Sequence, residues 1–201
     1  MAPVRQRAER LPPEDRRREL LDAARTVIAE AGFDGLSVRA VADRAGVTRP
    51  VIYDLFGDLD RLVLALFDRE EEAALSPLLA LIGEGDPVGV DPEDFLVEAV
   101  EGFLAAVRAT PETWHLVLVP PQGVSAEVRG RFADGRHRIS ERVTELLDWG
   151  VAARGGPAGL DHELFARLIV AAGEDAARLT LRHPRRYPPE RLASLARTGL
   201  T

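Results

Sequence analysis

Apolar residues recur at helical spacing along nearly the whole chain. Between Glu14 and Ala31 they fall at Leu20, Ala24, Val27, Ile28 and Ala31, and Gly32 follows as a stop. Phe33-Asp34-Gly35 reads as the turn. Ser37 then caps a short helix through Arg44, with Val38, Val41, Ala42 and Ala45 on one face, and Gly46 breaks it. Thr48 caps the next helix, through about residue 56, with Pro50 in its first turn, where a missing N–H costs nothing. After Gly57-Asp58 a longer helix over about 59–82 carries Leu62, Val63, Leu66, Phe67, Leu75, Leu78, Leu79 and Ile82. A loop rich in Gly, Pro and Asp runs from Gly83 to Pro92. Helical segments follow over about 93–109, 111–119, 125–153, 161–183 and 188–198, punctuated by Pro111, Pro120-Pro121, Gly155-Gly156-Pro157 and Pro184. No run alternates with period two long enough to argue for a sheet, and there is no internal repeat. The pattern predicts an all-α chain.

Composition narrows the chemistry. The 201 residues, 46% apolar, suffice for one large or two small domains with an ordinary core. The apolar run Leu62–Phe67 is far shorter than the roughly 18 residues a bilayer span needs. No charged-then-apolar leader opens the chain, so a cytoplasmic protein without a membrane partner is expected. Absence of cysteine excludes disulfides, thiolate metal sites and thiol nucleophiles. All 26 basic residues are arginine, and without lysine neither a Walker-type phosphate loop nor Schiff-base chemistry is available. Charge is unevenly placed. Residues 1–58 hold 10 Arg against 10 acids, whereas residues 59–201 hold 16 against 23 and carry the whole net charge of −7. A nucleic-acid partner is thus compatible with the N-terminal quarter and electrostatically discouraged elsewhere.

The informative stretch is Val38–Phe56. Two short helices joined by a tight turn must pack at a steep angle. Ala42 supplies the small residue their close approach needs, and Gly46, four positions on, tolerates the backbone angles of the turn. Val47 and Ile52 fill the wedge, while Val38, Val41 and Leu55 close the small core. This spacing is the signature of a helix-turn-helix, whose second helix lies in the DNA major groove.

With its flanks the stretch resembles the N-terminal domain of the TetR/AcrR family of transcriptional regulators. The matching residues are Gly32-Phe33, Leu36-Ser37-Val38, Val41-Ala42, Ala45-Gly46-Val47-Thr48 and Ile52-Tyr53 followed by Phe56, and the likeness covers roughly residues 15–67. Residues 1–13, with three Pro, three Arg and no periodic apolar face, read as a flexible arm; the resemblance implies a three-helix DNA-binding domain (14–58) and a helical effector-binding and dimerisation domain (59–201). It further implies a repressor that binds a palindromic double-stranded operator as a homodimer and is released by a small-molecule effector. DNA contacts fall by resemblance on Ser37 and Arg39 and on Thr48, Arg49, Pro50, Val51 and Tyr53, with Arg44 a weaker candidate. Helix N-termini at Ser37 and Thr48 suit phosphate, and Arg49 is long enough for a guanine or a phosphate. Two departures stand out: Leu55 replaces a usual His, and Leu59 a usual Lys. With Asp54 adding a like charge beside DNA, weaker non-specific binding is expected. Arg5, Arg7 and Arg10 either offset this in a minor groove or belong to a disordered tail.

The rival reading is a helical ligand-binding protein or enzyme that does not bind DNA. His115, His137, His162 and His183 lie 22, 25 and 21 residues apart and form no helix-face pair, and none of the five serines sits in a Gly-x-Ser-x-Gly elbow. The acids at Glu70–Glu72 read as a solvated face, and Glu174-Asp175 as a structural feature at a dimer seam or kink. No catalytic residue, metal or cofactor is expected. For an effector cavity the candidates are Phe103, Trp114, His115, Phe132 and Ile139, with packing in the core as the alternative for each. His115 and His137 would anchor a polar ligand group or be satisfied by backbone carbonyls. Leu164, Leu168, Ala171, Ala172, Leu179, Leu192 and Leu195 form an apolar stripe. By resemblance it builds a four-helix seam with a second subunit; the alternative is an intramolecular core.

Overall fold

The computed structural model describes residues 11–82, 87, 89–118, 125–155, 159–192 and 194. The helices are α1 (Pro13–Ala31), α2 (Val38–Ala45), α3 (Arg49–Phe56), α4 (Leu59–Ile82), α5 (Pro92–Ala109), α6 (Pro111–Leu118), α7 (Ala126–Arg154) and α8 (His162–Arg182), with a 3-10 turn at Phe33–Gly35. No strand occurs among the described residues, and no helix is long and apolar enough to cross a membrane. Arg5, Arg7, Arg10, Leu195 and the break at Pro120-Pro121 lie outside the described residues.

The chain divides into two compact units, the first ending at Leu66. The expected boundary at residues 58/59 falls short of that division because the first two turns of α4 bury Leu62, Val63 and Leu66. The core of the first unit also takes Leu20, Ala24, Val27 and Ile28 of α1, Val41 and Ala42 of α2, and Ile52 and Phe56 of α3. Ala31, assigned to the apolar face of α1, is instead exposed at the helix end. There Gly32 turns the chain at φ 69° while its N–H closes on the Ile28 carbonyl at 2.9 Å.

In the second unit Ala74, Val107, Trp114, Leu118 and Ala177 form one buried cluster, drawing on α4, α5, α6 and α8. Phe103 and Trp114 meet edge to face at 5.1 Å. Pro77 sits inside α4, where its ring removes one amide donor from the helical ladder. Leu79, read as part of the apolar face, is exposed.

The sequence expectation fails most clearly at Glu70–Glu72. Only Glu72 is solvated; Glu70 and Glu71 are buried. Buried carboxylates require partners, and these have them. Glu70 accepts from the Thr113 hydroxyl at 2.6 Å and from Arg69 at 2.7 Å. Glu71 accepts from Arg131 at 2.6 Å and Arg138 at 2.7 Å, one turn either side of Gly135 on α7. Burial alone would lower the pKa of Arg131, but the bonds and charges of Glu71 and Asp68 outweigh it and raise it above its ordinary value. Glu174 is also structural: it takes Arg136 through two bonds of 2.7 and 2.9 Å and Arg178 at 2.8 Å, tying α7 to α8.

Gly135 makes the Glu71 seat possible. A Cβ there would lie 1.9 Å from Glu71 Oε1. The same helix carries Gly130, where a Cβ meets nothing within 4 Å. Replacing glycine by alanine in a helix gains up to about 1 kcal/mol. Unseating a buried, ion-paired carboxylate costs about 3 kcal/mol or more. Gly130→Ala should therefore raise the thermal midpoint by a few degrees and Gly135→Ala lower it, as read by circular dichroism melting.

Candidate nucleic-acid interface

The first unit holds a short helix by its inner side and leaves its outer side open. The junction between α2 and α3 depends on one left-handed residue, Gly46, at φ 66° and ψ 27°. The Val47 N–H bonds the Ala42 carbonyl at 3.0 Å and the Gly46 N–H reaches Asp43 at 3.4 Å, the Schellman pattern that closes α2. A side chain at Gly46 would find open space, so only the backbone angle demands glycine. Arg44 is tied to Glu30 of α1 by an ion pair, which makes it a brace of α2.

Ile52 is 0% exposed and Phe56 is buried, which turns the opposite face of α3 outward. Thr48, Arg49 and Pro50 are exposed, Tyr53 is 50% exposed, and Val51 is half-buried. Of the expected inner residues Val41, Ala42 and Ile52 are buried, while Val38, Val47 and Leu55 are half-buried. Among the described residues Arg49 makes no ion pair. Ser37 and Arg39 are exposed at the start of α2. Arg39 lies 3.6 Å from Asp43, a solvated pairing of at most about 1 kcal/mol that a phosphate can displace. Asp54 is exposed and Leu59 half-buried.

The two expected caps differ. Ser37 Oγ accepts the Ala40 N–H at 3.1 Å. Thr48 stands at the N-cap of α3 with extended backbone, yet its hydroxyl makes no cap bond. Pro50 has no N–H to offer, and the Val51 N–H is taken by the Thr48 carbonyl at 3.0 Å. The Thr48 hydroxyl is left for an external acceptor such as a phosphate oxygen.

The cavity candidates separate. Phe103 and Trp114 lie together, Trp114 being 2% exposed with its indole N–H buried and lacking a hydrogen-bond partner. Phe132 stacks on Phe67 at 3.7 Å, Ile139 is half-buried, and His115 is exposed. His137 is exposed beside Glu141. Of the stripe residues Leu164 and Leu168 are 57% and 59% exposed and Ala171 and Ala172 are exposed, whereas Leu179 and Leu192 are half-buried. No group of three His, Asp or Glu among the described residues is placed to hold a metal. Sequence reasoning missed Arg17, whose guanidinium reaches the far end of α3 from 38 residues away, a separation no local pattern reveals.

An exposed two-turn helix braced through a tight turn defines a helix-turn-helix DNA-binding protein. Residues 20–66 match the family "Bacterial regulatory proteins, tetR family", and residues 92–198 match "Tetracyclin repressor-like, C-terminal domain". The chain belongs to the TetR family of transcriptional regulators. It is 26% identical over 181 residues to the transcriptional activator FasR of Mycolicibacterium smegmatis, covering 89% of this chain and 78% of FasR. It is 34% identical over 140 residues to the transcriptional repressor AcnR of Corynebacterium efficiens, covering 67% of this chain and 65% of AcnR. A TetR-like regulator from Rhodococcus sp. RHA1, 30% identical, superposes with a TM-score of 0.73 over 95% of this chain and 98% of that one.

The caps give a stability test that needs no DNA. Ser37→Ala should cost about 1 kcal/mol in chemical denaturation, as loss of a cap does. Thr48→Ala, which removes no cap bond, should change stability by less than about 0.5 kcal/mol.

Proposed function

We propose that this protein is a repressor that grips a palindromic operator as a homodimer and lets go when a small, largely apolar molecule enters its C-terminal domain. The observation that carries the reading is the outward face of α3: Thr48, Arg49, Pro50 and Tyr53 are exposed while Ile52 anchors the helix from behind. Thr48 and Ser37 meet phosphate at helix N-termini, Arg49 reads a guanine or clamps a phosphate, Tyr53 donates to the backbone, and Arg39, Pro50 and Val51 complete the contact surface. In this reading an arm over 1–13 precedes a reading head over 14–58 that packs on the first two turns of α4, and 59–201 carries the effector and dimerisation functions. The setting is the cytoplasm, and no catalytic step is involved.

Dimerisation is supported by α8, whose Leu164, Phe165 and Leu168 are large apolar side chains left exposed next to Ala171 and Ala172. Small residues beside leucines permit two helices to approach closely, and an isologous dimer supplies the two-fold symmetry that paired half-sites need. Half-buried Leu179 and Leu192 are the candidates for the seam's continuation. Effector binding is supported by the Phe103–Trp114 pair, with Phe132, Ile139 and His115 as further lining candidates.

A gel shift tests the DNA reading, using the DNA immediately upstream of the protein's own gene across a salt range. Arg49→Ala and Tyr53→Ala should each weaken binding about tenfold or more. No retardation by the unsubstituted protein at any salt would contradict the reading. Sedimentation tests the dimer: Leu168→Glu should convert a dimer to a monomer, and a monomeric unsubstituted protein would contradict it.

A further inference from the structure

We propose that Arg17 of α1 is a positioning residue for DNA reading, fixing the pitch of the recognition helix by clamping its C-terminal end. The inference rests on α3 being the helix that reads DNA.

α3 has only eight residues, too few for a helix to hold itself in water. Its C-terminal end is also electrically unfavourable. The last carbonyls have no helical donors, no basic residue lies in the last turn, and Asp54 adds a negative charge near the negative end of the dipole. The Gly57 N–H relieves one carbonyl, bonding Tyr53 at 2.8 Å. Arg17 relieves another: its Nη1 donates to the Leu55 carbonyl at 3.1 Å, and its guanidinium carbon lies 4.4 Å over the centroid of the Phe56 ring. The cation missing from the last turn of α3 is thus supplied from α1, in a fixed orientation because the planar group both stacks and donates. Arg17 is half-buried and engaged on both counts, so it acts on the helix and not on the nucleic acid. With Ile52 and Phe56 buried as the pivot, loosening this end lets the Thr48–Arg49 end swing out of register with the groove.

The test uses the full chain and a duplex recovered by in vitro selection with that chain. Arg17→Ala should weaken binding about tenfold at fixed salt, consistent with loss of one charged hydrogen bond. The slope of log affinity against log salt should stay unchanged, whereas removing a phosphate-contacting arginine lowers it by about 1 per subunit. Amide hydrogen exchange should accelerate over residues 53–57 while residues 38–45 keep their protection. Arg17→Lys, which keeps the charge and can still donate but loses the planar stack, should restore part of the affinity. If Arg17→Ala does not fold, Phe56→Leu takes its place and should weaken binding at unchanged slope. Affinity within twofold of the unsubstituted chain in the folded variants, or a fall in the salt slope, would overturn the clamp. Failure to select any duplex would sink the DNA reading itself, and the exchange pattern would still decide the clamp.

Discussion

An eight-residue helix cannot both stand alone and offer its best face to a partner. This constraint governs the first unit. α3 keeps its fold because Ile52 and Phe56 are buried against neighbours, because Gly46 delivers the chain at the right angle, and because Arg17 takes up a carbonyl at its end. What is left over, the exposed side chains of Thr48, Arg49, Pro50 and Tyr53, is free to meet a partner because none of them is buried inside the unit.

The second unit solves a similar problem with similar parts. α6 is also eight residues long, and its last carbonyl, that of Leu118, lies 3.4 Å from both Nε and Nη2 of Arg178 on the longer α8. Around it the unit is stitched by carboxylates, Glu70 on Thr113 and Glu71 between Arg131 and Arg138 buried, Glu174 with Arg136 and Arg178 nearer the surface. Breaking a buried pair costs far more than a surface pair yields, so the buried Glu70 and Glu71 ties hold α4 to α6 and α7 more strongly than the more exposed Glu174–Arg136 pair holds α7 to α8. The large apolar side chains Leu164, Phe165 and Leu168 near the start of α8 are the exception, left exposed while Ala166 and Ala177 of the same helix are buried.

Much of this was legible in the sequence, for identifiable reasons. Glycine and proline mark nearly every helix boundary, and Gly32, Gly46 and Gly57 all stand at positive φ where the pattern stopped a helix. The reading head was legible because Ala42, Gly46 and Ile52 act through local geometry, within a dozen residues of one another. The Thr48 cap misled because residue type alone does not show that Pro50 lacks an N–H and that the Val51 N–H goes to the Thr48 carbonyl. Glu70 and Glu71 misled because an acidic run looks solvated from its own helix. Their partners, Thr113, Arg131 and Arg138, lie far along the chain, and so does the notch at Gly135. The ligand candidates rest on apolar and aromatic character with a polar anchor, a criterion that cannot distinguish Phe103 against Trp114 from Phe132 against Phe67.

The central claim is that the Thr48–Tyr53 face of α3 is the surface that meets DNA. Amide chemical shifts of the intact protein, titrated with a selected duplex, test it most directly. The account predicts the largest shifts at residues 37–39 and 48–53, with the Ile52 methyl groups nearly unmoved. Shifts confined to the second unit, or equal in size for any duplex and for heparin, would contradict it.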